Sequence, residues 1–384
     1  MYVDHAATTA VRPQVLAAML PYFAEQWGNP SSLYAPGRRA AQAVARARET
    51  VADVFDCARE EIVFTGSGSE GANLAIKGVA EAAALGGKRH LITSSVEHHA
   101  VLDTCRWLAR FGGFEVTEIE VDQHGRVDLE HLERSITDQT ALVSVMYANN
   151  EVGTIQPIRD VVRIAHARGV PVHTDAVQAA GHLSLDVEDL GVDLMSIAAH
   201  KFYGPKGVGA LYVRRGTRLV PQTQGGGQER GRRSGTENVA GIVGMAEALA
   251  LAQDERATLG PRLRALSARL LTELPERAPG CRVTGHPSDR LPGHASFVFE
   301  GVEIASVLLG LDERDVWASS GSACTSASSE ASHVLLAMGV SREWVFGALR
   351  LSFGIDNTVD DVDTLLRTIP PLVVGARSKA LAAV

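Results

Sequence analysis

The 384-residue chain carries 37 basic and 45 acidic side chains, a formal net charge of −8 and 45% hydrophobic residues. That length predicts two or three domains, and a mildly acidic chain without a dense basic stretch argues against nucleic-acid binding. Four cysteines (Cys57, Cys105, Cys281, Cys324) lie far apart with no CxxC and no zinc-ligand spacing, which predicts free thiols in a reducing cytoplasm rather than a disulfide framework.

The first residues show no basic region leading into an apolar run, so no secretory signal is expected. The most apolar stretch, Val239 to Ala252, is interrupted by Glu247 and is too short to span a bilayer. Only five of the basic residues are lysines (Lys77, Lys88, Lys201, Lys206, Lys379), and chemistry that needs a neutral amine cannot use arginine.

In chain order, Arg38 to Phe55 reads as an amphipathic helix. Glu61 to Phe64 reads as a strand, followed by the turn Thr65-Gly66-Ser67-Gly68-Ser69 and a helix through Asn73 to Lys77. His90–Thr93, Ala141–Val145, Val170–His173, Leu194–Ile197 and Gly209–Val213 are further buried-strand candidates. Strands alternating with helical stretches predict an α/β fold with a mostly parallel sheet. After about residue 255 an Arg/Leu helix (Pro261 to Leu274) and mixed strands such as Ala295 to Glu300 predict a smaller α+β domain.

The turn at 65–69 is either a plain strand–helix connection or a phosphate cup; it lacks both the Walker lysine and GxGxxG. Asp175 closes a strand at the ligand-binding edge of such a sheet, where it could meet a pyridinium nitrogen, a ribose or a metal, or cap a helix. Lys201 follows the next apolar strand, inside His200-Lys201-Phe202-Tyr203-Gly204-Pro205. A carboxylate, a lysine and a phosphate cup together meet the needs of pyridoxal phosphate. Glu97-His98-His99 lacks further ligands for a metal, and a stacked ring or a general acid/base fits it better than a zinc site, with a surface pair as the plain alternative. Ala318 to Ser329 consists almost wholly of small residues around Cys324, the setting of a mobile loop bearing a nucleophile. Cys57, Cys105 and Cys281 lack that setting.

Taken together, Asp4–Thr9, Gly28-Asn29-Pro30-Ser31-Ser32, Glu97–Ala100, Asn149–Gly153, His173–Gln178, His200–Gly209, Gly225–Asn238 and Ser319–Ser326 resemble the cysteine desulfurases of group I, the NifS/IscS-like branch of the class-V aminotransferases. The resemblance runs from residue 2 to about residue 354. It implies a homodimer with the aminotransferase type I fold: a large pyridoxal-phosphate domain (14–255) with a mostly parallel seven-stranded sheet, and a small domain (1–13 and 256–384) carrying the cysteine loop at about 318–333.

By the same resemblance Lys201 is the Schiff-base lysine, His98 stacks on the ring and moves protons, Asp175 pairs with the ring nitrogen and Gln178 meets the phenolate oxygen. Gly68, Ser69, His200 and the partner subunit's Thr236 hold the phosphate. Asn150 and Arg350 bind the substrate carboxylate, for which a bidentate arginine is suited, and Cys324 is the nucleophile. The implied reaction turns L-cysteine into L-alanine and leaves a persulfide on Cys324 for a sulfur acceptor or Fe–S scaffold protein; no resident metal is implied, though Cys324 could ligate a cluster in transit. The alternatives are a selenocysteine lyase or related β-eliminating enzyme, and a non-catalytic sulfur-relay protein. Neither a membrane nor a nucleic acid is an expected partner. Two positions depart from the family pattern: Ala198 stands where a phosphate-binding Ser or Thr is usual, and Tyr34 where a histidine is usual. The short stretch after Gly354 bears on the choice of acceptor.

Overall fold

Apolar runs without polar alternation, such as Leu91-Ile92 and Ala141-Leu142-Val143, demand burial on both faces, and the computed structural model places them on interior strands of a seven-stranded sheet. The structure describes residues 1–321 and 331–382. The strands of this sheet are β1 (Ile62–Thr65), β2 (His90–Ser94), β3 (Glu115–Ile119), β4 (Thr140–Ser144), β5 (Val172–Asp175), β6 (Leu194–Ala198) and β7 (Gly209–Val213). Their order is β1-β7-β6-β5-β4-β2-β3. Only β7 runs antiparallel to its neighbours β1 and β6; the other pairings are parallel. The sheet edge strand β3 carries Glu115 and Glu118 and is only partly buried, which removed the apolar run that marks its neighbours.

Apolar clusters cover both faces. Phe55, Met195, Tyr212 and Leu249 belong to one, and Ile76, Leu91, Leu142 and Leu211 to the other. The helix after the small-residue turn spans Gly68–Ala84, longer than the periodicity suggested. The helix expected from Arg38 begins at Ala35, with Pro36 in its first turn, where the missing N–H has no intrahelical partner to lose.

A second, antiparallel sheet has the order β10-β9-β8, from β8 (Cys281–Val283), β9 (His294–Phe299) and β10 (Ala348–Ser352). Phe297, Phe299, Leu349 and Leu365 pack around it, joined by Val3 from the N-terminal segment. The helix predicted from Pro261 is part of a longer one, Val239–Arg277, that continues through Pro261. Ile242, Met245 and Leu249 serve the large sheet, and Leu263, Leu266 and Leu270 the small one. A proline removes one helical hydrogen bond, but burial on both sides of it keeps the helix continuous, and residue 255 lies within it.

Among the described residues no helix is long and apolar enough to cross a membrane.

Candidate active site

The C-terminal ends of β4, β5 and β6 and the start of the Gly68–Ala84 helix open on one cavity of about 290 Å³, the position where α/β sheets bind ligands. Gly68, Ser69, His98, Asn150, Asp175, Gln178, His200, Lys201 and Arg350 all line it. Thr236 does not; it is exposed on the 225–238 segment. Cys324 lies outside the described residues.

The helix N-terminus is built by Ser67, whose Oγ accepts from the Glu70 N–H at 3.1 Å. The first-turn N–H groups thereby face the cavity with the positive end of the helix dipole. Gly68 is required there for space: a Cβ on it would sit 2.6 Å from Val177 Cγ2 and 3.2 Å from Ala198 Cβ. Asp175 ends β5, and its Oδ1 accepts from Val177 N–H at 2.9 Å. Burial pushes the Asp175 carboxyl up to about 6, partly offset by that N–H and by the Lys201 charge.

Lys201 sits in a short 3-10 turn directly after β6. Its Nζ donates to the carbonyls of Ala6 (2.6 Å) and Ala7 (2.8 Å). The same N-terminal segment accepts from Gln178 Nε2 at Ala6 O (2.9 Å), and Thr8 Oγ1 lies 3.2 Å from His200 Nδ1. Ala6 and Ala7 therefore form part of the wall of the site through their backbone carbonyls, which no side-chain pattern announces. Burial and the neighbouring Lys201 and Lys206 lower His200 to about 4.

His98 is the N-cap of the helix His99–Phe111, and its Nδ1 accepts from Ala100 N–H at 3.0 Å. An imidazole nitrogen that accepts carries no proton, so the neutral ring bears its hydrogen on Nε2. Burial, with Lys201 nearby, lowers its pKa to about 4 and keeps it neutral. Glu97 precedes it, fully buried. Its Oε1 accepts from Ser94 Oγ (2.6 Å) and Met146 N–H (2.7 Å), while Oε2 has no partner among the described residues. Burial pushes this carboxyl up to about 8. Glu97, Glu151 and His333 also line the cavity, although the sequence assigned none of them a role of its own; His333 Nε2 donates to Glu97 O at 2.9 Å.

Arg350, in the middle of β10, is 2% exposed. Its Nη1 donates to the carbonyls of Asn150 (2.9 Å) and Gly321 (2.8 Å), and its Nη2 to Asp4 Oδ1 (2.6 Å). The three described cysteines lie away from this cavity, and burial raises each thiol to about 12, the behaviour of inert structural thiols. Among the described residues, no group of three or more His, Cys, Asp and Glu side chains is placed to hold a metal ion.

Residues 1–365 match the family model "Aminotransferase class-V". The chain is 46% identical over 376 residues to a cysteine desulfurase IscS from Clostridium botulinum, covering 97% of this chain and 94% of that protein. Among solved structures, a NifS-like protein superposes with a TM-score of 0.91 at 39% identity, covering 98% of this chain and 99% of the other. A structure described as SspA in complex with cysteine gives a TM-score of 0.81 at 37% identity, covering 92% and 98%.

Proposed function

The chain belongs to the aminotransferase class-V family, and we infer from that premise and from the cavity that it is a cysteine desulfurase, taking sulfur from L-cysteine and leaving L-alanine with pyridoxal phosphate as cofactor. The observation that carries the cofactor assignment is the convergence of a lysine amine, a buried carboxylate and a helix N-terminus stripped of side chain at Gly68 on one cavity. This set fits the group. The first turn at Gly68 and Ser69, His200 and the partner subunit's Thr236 would hold its phosphate, Asp175 its ring nitrogen and Gln178 its phenolate oxygen. His98 would lie against the ring, and Lys201 would be the residue that links to it. Ala198, at 3% exposure beside Gly68, contributes no hydroxyl, so the phosphate has one donor fewer, worth about 1 kcal/mol.

When bound, pyridoxal phosphate supplies an electron sink for the pair released at the substrate α-carbon. The chain's own part is proton handling and positioning. Lys201 Nζ, held by the Ala6 and Ala7 carbonyls, is poised to take and return the α-proton. His98, with hydrogen on Nε2, is a donor toward the cavity. Arg350 and Asn150 would grip the substrate carboxylate. Cys324 would then take the sulfur as a persulfide and pass it to an acceptor serving Fe–S cluster or thio-cofactor assembly. The homodimer, the cytoplasmic location and the division into residues 14–255 and residues 1–13 with 256–384 belong to the same reading; the division is supported by the separate apolar clusters of the two sheets.

The test is product analysis with L-cysteine and L-selenocysteine. C324A is expected to lose persulfide and alanine formation from L-cysteine, by about 100-fold or more, while keeping the visible absorbance of bound cofactor; K201A is expected to lose that absorbance. Full desulfurase turnover by C324A, or turnover of selenocysteine alone by the parent enzyme, would contradict the reading.

A further inference from the structure

Arg350 is a buried cation, and a buried charge is tolerated only when paired and hydrogen-bonded. Among the described residues its ionic partner is Asp4, whose side chain is itself only 16% exposed. Both contacts of Nη1 go to main-chain carbonyls, at Asn150 and Gly321, and Asp4 Oδ1 takes one N–H of Nη2. Among the described residues the Nε–H has no partner, although the atom is fully buried. The donors left over are thus Nε–H and the second N–H of Nη2, on neighbouring nitrogens, a spacing that a carboxylate spans with its two oxygens.

The backbone explains why Asp4 reaches this place. Asp4 pairs with Ser352 as an isolated bridge beside β10, with Ser352 N–H donating to Val3 O at 2.8 Å and Ala6 N–H to Ser352 Oγ at 2.9 Å. Ser352 and Arg350 are two residues apart on one strand and so share a face. The main chain at Asp4 is held without help from the carboxylate, and among the described residues the carboxylate's ion pair is with Arg350, though its charge is also felt by Tyr2 and His5.

We propose that Asp4 is a positioning residue for substrate recognition: its carboxylate orients the Arg350 guanidinium so that Nε and Nη2 meet the α-carboxylate of the incoming amino acid. This rests on the reading of Arg350 as the carboxylate-binding residue. Asp4 touches no reacting atom; it fixes the fork and balances its charge while the cavity waits for substrate.

Steady-state desulfurase kinetics with L-cysteine on the cofactor-loaded enzyme test it. D4A is expected to raise KM about tenfold while kcat stays within about twofold, with the cofactor absorbance unchanged. D4N, whose Oδ1 still accepts from Nη2 without the charge, is expected to raise KM about threefold. R350A raises KM further, and adding D4A to it has no additional effect, since the two act as one unit. A parental KM in D4A overturns the proposal, as does a fall in kcat or loss of cofactor absorbance in place of the KM effect. Should D4A fail to fold, a parental KM in D4N overturns it equally. A parental KM in R350A overturns instead the underlying assignment of Arg350.

Discussion

Glu97 stands between two jobs. Its Oε1 ties the end of β2, through Ser94, to the segment after β4, through Met146, while its Oε2 lies buried with no partner among the described residues. A carboxyl in that position is cheaper protonated than ionised, hence the rise from 4.5 to about 8. The native state therefore keeps a proton that the unfolded chain gives up near pH 4.5, and between these values stability falls as pH rises. Glutamine is isosteric with the protonated acid and does not titrate. The melting temperature of E97Q should gain on that of the parent as pH goes from 5 to 8, by on the order of a few degrees. Parallel melting curves across that range would show that Glu97 is ionised in the folded protein. In the sequence Glu97 was visible only as the neighbour of His98, because nothing in the one-dimensional pattern says that a glutamate has no cation beside it.

At the scale of elements, the helix Gly68–Ala84 is aimed by its first residue. Alanine at position 68 puts a methyl 2.6 Å from Val177 Cγ2. Valine is stiff at χ1 and cannot easily turn away, so G68A should lose about 1–3 kcal/mol to overpacking and retain cofactor about tenfold less tightly on dialysis. Unchanged retention would mean that the turn does not hold the phosphate. The strands around this helix were legible wherever burial on both faces produced an apolar run: β1, β2, β4, β5, β6 and β7 fall within one or two residues of expectation. β3 was hidden by Glu115 and Glu118 at the sheet edge, and β10 by Arg350, a charge in mid-strand that only the site accounts for. The parts of the site that rest on side-chain identity (Lys201, Asp175, His98, Gln178) were readable from motifs. The carbonyls of Ala6 and Ala7 were not, since any residue would have supplied them.

Across the whole molecule, the 225–238 segment that carries Thr236 is anchored by a buried ion pair, Arg48–Glu229, beside a half-buried one, Arg233–Glu70. Arg48 makes two 2.7 Å contacts to Glu229, which also accepts from Phe64 N–H at 3.1 Å. Glu229 and Arg230 adopt left-handed φ of 49° and 56°, a strain that the pair holds in place. E229A leaves Arg48 buried and unpaired and should lower stability by about 3–5 kcal/mol, whereas replacing both partners with apolar residues of similar size should recover most of it. Chemical denaturation of the three proteins reads this directly; equal midpoints would show that the pair contributes nothing. The Asp4–Arg350 contact spans the chain on a still larger scale, joining residues 346 apart in sequence. During synthesis the first member of this pair emerges early and must wait for nearly the entire polypeptide before its partner exists. The strands of the large sheet are all present by Val213, so on the reading of Arg350 as the carboxylate-binding residue, that sheet can begin to form well before the chain is able to hold an amino acid.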